Sequence, residues 1–414
     1  MTTEPAPLAS RFPPLAMSPQ AKAWCVTPDE GRCIHRFFDS SPFSPSGRYL
    51  ALTRLPYEDR LPMPGDAAGV VLVDLVTGQE RTVAHTLAWD TQLGAQVQWG
   101  ATDAQLLYND LEMTDWRPFG VQLDPFTGTR RRFQNTVYHV SSDGRLAVSA
   151  CLRRIGRTQP GYGVNVPQSQ VPSNIGASPD DGVYLTDLDT GESRLLASIR
   201  QLVTHAQLPD DLEGSYYVFH TKWNSQGDRL MVVLRRLRNP PDASPREQRH
   251  VLTMRPDGSD IHVAVHDRQW RVGGHHPHWC PDGRTILMNL RLDPAGPLRF
   301  VAVKFDGSGL QQVAGHAVGS GHPSLHPSGN ILTDTYPHEP MAHGDSVPIR
   351  WIGVATGKEV ILGWVPVVPP FTGPRREFRV DPHPAWDRQA NRFAFNLWLE
   401  QTRRVCVAQI HTRG

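Results

Sequence analysis

The stretch HPHWCPDGRTILMNL, from His276 to Leu290, holds an aromatic position, a polar turn ending in glycine and a run of β-forming residues. An Asp-Gly turn before such a run reads as the corner between two antiparallel strands. The pattern recurs as FSPSGRYLAL (Phe43 to Leu52), VSSDGRLAVSA (Val140 to Ala150), WNSQGDRLMVVL (Trp223 to Leu234) and LHPSGNILTD (Leu325 to Asp334). Looser copies are QWGATDAQLLYND (Gln98 to Asp110) and AWDRQANRFAFNLW (Ala385 to Trp398). Between the copies lie six further turns: VDLVTG ending at Gly78, LDPFTG at Gly128, TDLDTG at Gly191, RPDG at Gly258, KFDG at Gly307 and VATG at Gly357. Each separates two short strand-like runs, as a second hairpin would. Seven copies of a two-hairpin unit, at about 59 residues each, match the four-stranded blades of a propeller.

The expected fold is therefore all-β: a single seven-bladed β-propeller over residues 23–414, preceded by a tail at 1–22. The last copy ends at RRVCVAQI without its turn. A strand near Ala23 to Val26 is expected to complete blade seven and close the ring. Trp99, Trp223, Trp279 and Trp386 occupy the aromatic position and read as packing between blades, with Cys280 in blade core.

Composition narrows the partners. The chain has 42 basic and 41 acidic side chains, so it lacks the basic footprint that nucleic acid or an anionic membrane surface attracts. Its 35 Gly and 37 Pro favour many short elements with tight turns over long helices. The N-terminal MTTEPAPLASRFPPLAMSPQ lacks the basic start and apolar stretch of an export signal, and the apolar runs are too short to span a bilayer. Five scattered cysteines, without a C-x-x-C pair, argue for a reducing, cytoplasmic setting. Oligomeric state, a homodimer included, stays open.

The 18 histidines carry the functional signal. Three residues before the aromatic or Leu position, blades four to seven place His220 (HTKW), His276 (HPHW), His322 (HPSL) and His383 (HPAW). Blades one to three have Ser40, Gln96 and Val137 there. Innermost strands line the central channel, so four imidazoles at one register are expected to converge. Neutral imidazoles packed together without partners leave polar groups unsatisfied, and a divalent cation resolves this. Mn, Zn, Ni and Fe all accept imidazole. His275 and His278 flank the set.

These residues resemble the seven-bladed polysaccharide lyases, most closely the oligogalacturonate lyase family and more distantly the ulvan and rhamnosyl-glucuronate lyases. The blade motifs themselves (WCPDG, FSPSG, LHPSG) are TolB-like and shared by many propellers. The resemblance implies a cytoplasmic, metal-dependent lyase acting on an acidic oligosaccharide, with His276, His322 and His383 as metal ligands. His220 is then a further ligand or the catalytic base.

Eliminating a 4-linked uronate requires removing a proton alpha to a carboxylate, so the site needs a positioned base and positive charge beside that carboxylate. Arg153, Arg154 and Arg157 lie in ACLRRIGRTQPGYGVNVP, a segment that interrupts blade three and is expected to rim the channel mouth. Tyr138 with Arg154 resembles a Tyr/Arg pair of the ulvan lyases, which makes both candidates for catalysis alongside His220. Arg153, Lys222, Tyr336 and His338 are candidates for substrate binding, the last two with Glu339 in the Pro-bounded TYPHEP. Arg36, Asp39, Arg54 and Arg60 read as surface salt-bridge residues. No G-x-S-x-G elbow and no phosphate-binding glycine loop is present, which removes serine hydrolysis and nucleotide chemistry. Two rivals remain: a non-catalytic TolB-like propeller binding a protein or glycan at its mouth, and a metal-dependent hydrolase or epimerase.

Overall fold

In a computed structural model, residues 8–173, 175–208, 214–238, 247–373 and 376–411 are described. They form seven antiparallel sheets arranged as the blades of one propeller. In each blade the innermost strand comes first in the chain, apart from the N-terminal strands that complete blade seven on its outside. The innermost strands are Cys33–Ile34, Gln98–Trp99, His139–Val140, Gly214–Trp223, Gly274–Trp279, Ser324–Leu325 and Ala385–Trp386. The six turn glycines read from the sequence, Gly78 to Gly357, all adopt a positive φ, between 66° and 87°. In the D-x-x-T-G turns the aspartate does the shaping: Asp74 Oδ1 accepts from the Val76 amide at 2.9 Å, while the Gly78 amide bonds the Asp74 carbonyl at 2.8 Å.

The ring closes as expected. Ala21–Cys25 pairs antiparallel with Thr402–Ile410 in blade seven, with Ala21 opposite Ile410 and Cys25 opposite Cys406. Pro14–Leu15 adds a fifth strand outside it. Core runs between blades, and Trp99, Trp223, Trp279 and Cys280 are buried in it. Blade four is the tallest, with strands Gly214–Trp223, Leu230–Arg238 and Glu247–Met254. Its upper part rises beside the mouth of the channel and supplies side chains there. The blade-three insertion contains a helix, Leu152–Thr158, and no described helix is long and apolar enough to cross a membrane.

One expectation is overturned. Arg36 and Asp39 are not surface residues: both side chains are 1% exposed and form an ion pair at 3.2 Å. The cause lies in the two residues between them. After Cys33–Ile34 the chain turns into the channel, where Phe37 and Phe38 are buried, and it carries the flanking charges inside with them. Asp39 meets a second buried cation, Lys222 Nζ, at 2.9 Å. Arg54 and Arg60 do form salt bridges, with Glu30 and Asp66.

Candidate active site

The site begins with a defect repeated in the inner strands. Blade four slips register between Val218 and Thr221, and blade five between His275 and His278. Each slip is a bulge that leaves one extra residue unpaired and re-aims its neighbours, and His220 and His276 sit in these bulges. Backbone strain marks the same level in other blades: Gln96, His276 and His383 have φ of 59°, 58° and 49°, and Gly321 before His322 has 62°. Non-glycine residues held there need compensating contacts. Asparagines within the second strands tie down the inner segments at this level. Asn109 brackets Val137, Asn289 Nδ2 donates to the Gly321 carbonyl at 3.0 Å, and Asn396 Oδ1 accepts from the His35 amide at 3.0 Å.

Three of the four register histidines meet. The rings of His276 and His322 have centroids 3.9 Å apart, and those of His322 and His383 4.3 Å. Asp381 joins them: it groups with His322 and His383 so that one ligand atom from each lies within 4.8 Å of the others. His220 stands apart, with Phe37 between, stacked on it at 5.2 Å and edge-on to His383 at 4.6 Å. His220 Nδ1 bonds the Tyr138 hydroxyl.

The donor atoms suit a cation. Asp334 accepts from His322 Nδ1 at 2.9 Å, and the Gly321 carbonyl accepts from His276 Nδ1 at 2.7 Å. In both rings the lone pair is thereby directed to Nε2, the arrangement that carboxylates and carbonyls impose on metal-binding histidines. His383 is buried with neither ring nitrogen hydrogen-bonded, a costly state for an imidazole that has nothing to ligate. Burial holds His276, His383 and His220 neutral, far below the usual histidine range, with neighbouring positive charge adding to the effect. The residues present therefore fit a divalent ion.

Above this group lies a cavity of about 430 Å³. His220, His275, His276 and Tyr336 form part of its wall, with Arg235 and Arg249 from blade four and Arg379 from the segment before blade seven. Three guanidinium groups face one carboxylate, Glu247, so the cavity is cationic. Arg249 and Arg235 reach Glu247 at 2.7 and 3.3 Å. Arg379 bonds Asp381 at 2.8 Å and the Tyr162 hydroxyl at 3.2 Å, and those neighbours raise its pKa. The Tyr336 hydroxyl lies 3.3 Å from His276 Nε2, and burial keeps that phenol protonated.

The remaining sequence candidates are distributed as follows. Tyr138 is buried behind His220, with Arg36 4.7 Å over its ring. His338 stacks on Tyr336 at 5.4 Å. Lys222 is enclosed, bonded to Asp39 and to the Pro277 carbonyl at 3.0 Å. Arg154 points into the protein and donates to the Pro172 and Tyr216 carbonyls at 2.7 and 3.2 Å. Arg153 bonds the Gln170 carbonyl at 3.0 Å. The blade-three insertion does reach the mouth, through Thr158 to Pro160 and Tyr162 rather than through its arginines. Sequence reasoning missed Asp381, Asp334, Arg235, Arg249 and Arg379. A signal existed for Asp381, two residues before His383 in DPHP.

Fold and site together define a propeller with a histidine and carboxylate centre inside its channel, opening into a cationic cavity. Comparison with known proteins carries this further at the level of fold. An oligogalacturonate lyase solved in complex with manganese superposes with a TM-score of 0.65 at 14% identity, over 96% of each chain. The oligogalacturonate lyase of Vibrio parahaemolyticus gives 0.63 at 12%, again over 96% of each. The β-propeller domain of the Trilobed protease from Pyrococcus furiosus gives 0.52 at 10%, over 91% of this chain and 97% of that one. No protein-family model and no curated protein matches the chain.

Proposed function

We propose that the protein is a metal-dependent lyase that cleaves uronate-containing oligosaccharides by β-elimination. The observation that carries this reading is the convergence of His276, His322, His383 and Asp381 beside a cavity whose wall has three guanidinium groups and one carboxylate. Full-length likeness to a manganese-bound oligogalacturonate lyase supports it. Those four residues would hold the ion, with Mn, Zn, Ni or Fe all compatible with imidazole ligands. When bound, the ion would supply positive charge for the substrate carboxylate as the alpha proton leaves.

The protein's own groups do the rest. Arg235, Arg249 and Arg379 bind and orient carboxylates of the substrate. His220 takes the C5 proton at Nε2, because its Nδ1 is engaged by Tyr138 and burial keeps the ring neutral. Tyr336, held protonated, hands a proton to the glycosidic oxygen as the C4–O bond breaks and C4=C5 forms. Arg154 acts through position alone, tying the blade-three helix to blade four.

The test is incubation with uronate oligomers while following the ultraviolet absorbance of a 4,5-unsaturated product, with metal analysis of protein purified without a histidine tag. Absorbance that rises and falls with metal loading supports the lyase. Cleavage without absorbance points to a hydrolase, and saturable glycan binding without turnover points to the binding propeller.

A further inference from the structure

The ring-closing strand pair places two cysteines face to face. Cys25, on Ala21–Cys25, lies opposite Cys406 on Thr402–Ile410. The Val26 amide bonds the Val405 carbonyl at 2.9 Å, whereas the Cys25 amide turns away to the Pro13 carbonyl at 3.0 Å. Cys25 and Cys406 therefore form a non-hydrogen-bonded pair, the kind whose Cα atoms approach to about 4.5 Å. That is within the span of about 4.4–6.8 Å that a disulfide bridges. Both thiols are free and buried in the core shared by blades six and seven.

We infer that Cys25 and Cys406 form a reversible disulfide that locks the propeller ring. The two thiols differ in reactivity. The hydrogen bond from Cys406, helped by the Thr27 amide and the Arg404 charge, brings the Cys25 thiol down to about 7, while burial pushes Cys406 up. Cys33, Cys151 and Cys280 are raised to about 11, 11 and 12 by burial, so Cys25 ionises more readily than these three. The oxidant is a low-molecular-weight disulfide of the glutathione class. Cys25 thiolate attacks one of its sulfurs and releases one thiol, leaving a mixed disulfide. Cys406, on losing its proton, then attacks the Cys25 sulfur and releases the second thiol. Two protein thiols are oxidised by two electrons, and the small disulfide is reduced to two thiols. Both thiols are buried, so the strands Pro14–Leu15 and Ala21–Cys25 must lift locally for the oxidant to enter.

Closing the bond joins residues at opposite ends of the chain, which restricts the unfolded state most strongly. The full-length protein is incubated with oxidised glutathione, and free thiols are counted after denaturation, with peptide mapping under non-reducing conditions. The expected result is a fall from five thiols to three, a Cys25–Cys406 linked peptide, and a Tm raised by several degrees that dithiothreitol restores. Cys25→Ser and Cys406→Ser, each a small and conservative change, should abolish both the link and the Tm shift. Five thiols remaining, a bond between another pair, a stable glutathione adduct on Cys25, or a link without a Tm increase would each overturn the proposal.

Discussion

His322 illustrates how one residue type acquires several jobs. Its Nδ1 is held by Asp334, and its amide bonds the same carboxylate at 2.7 Å, so Asp334 fixes both ring and backbone. Asp334→Asn keeps the shape and removes the charge. We expect it to weaken metal affinity by about 10–100-fold, read by titration against a chelator, with little change in Tm. His220 differs because its Nδ1 is engaged by Tyr138 and Phe37 stacks on its ring. His220→Ala should lower kcat by about 10²–10⁴ and leave bound metal unchanged, measured as metal content and turnover on one sample. Loss of the metal in that variant would instead make His220 a ligand. The register of the four histidines was legible in the sequence because the blade repeat sets them in line. The split between three and one was not, since it depends on Phe37 arriving from another blade.

At the scale of single elements, the helix Leu152–Thr158 and the bulged strands behave differently under mutation. Arg154, on that helix, is buried and bonded to carbonyls of two other segments. Arg154→Ala removes donors from buried acceptors and should cost about 2 kcal/mol of stability in denaturant titration, with KM unchanged. A stable Arg154→Ala protein with lowered turnover would assign it to the chemistry. The turn signals in the sequence located the hairpins between first and second strands and between third and fourth strands, because Asp, Thr and Gly shape a turn locally; the hairpins joining second to third strands, such as Leu106–Glu112 to Arg117–Leu123, carry no shared signal. The cavity arginines could not be read in the same way. Arg235 and Arg249 lie on strands of ordinary appearance, and only the extra height of blade four brings them to the mouth. Asn109, Asn289 and Asn396 were equally silent, since each bonds the backbone of an inner segment from a second-strand position.

For the whole molecule, closure and buried charge set the stability. Without Ala21–Cys25, the strand Thr402–Ile410 loses its outer partner and the ring stands open. Deleting residues 1–30 should therefore lower Tm sharply, and a small shift would mean that the ring holds without its clasp. Burial also stores a pH dependence. His139 and His278 are pushed down to about 4 and 3 by desolvation, with Lys222 adding repulsion. In the unfolded chain each titrates near 6.5, so below that pH the unfolded state binds more protons than the folded one. Stability then falls as pH drops from about 6.5 toward 4, by up to about 1.4 kcal/mol per pH unit for each histidine. Denaturant titrations between pH 7 and 4 check the slope, and a flat profile would contradict neutral buried imidazoles.

The pair Phe37 and Phe38 also governs traffic. With these rings across the axis and the Arg36, Asp39 and Lys222 ion cluster beyond them, the described residues leave no through-passage at this level. Phe37 and Phe38 thus bar the cavity on the channel side. If the proposed lyase takes substrate into this cavity from the mouth, product leaves on the same side, so accumulated product should compete with substrate and raise apparent KM without lowering the maximal rate.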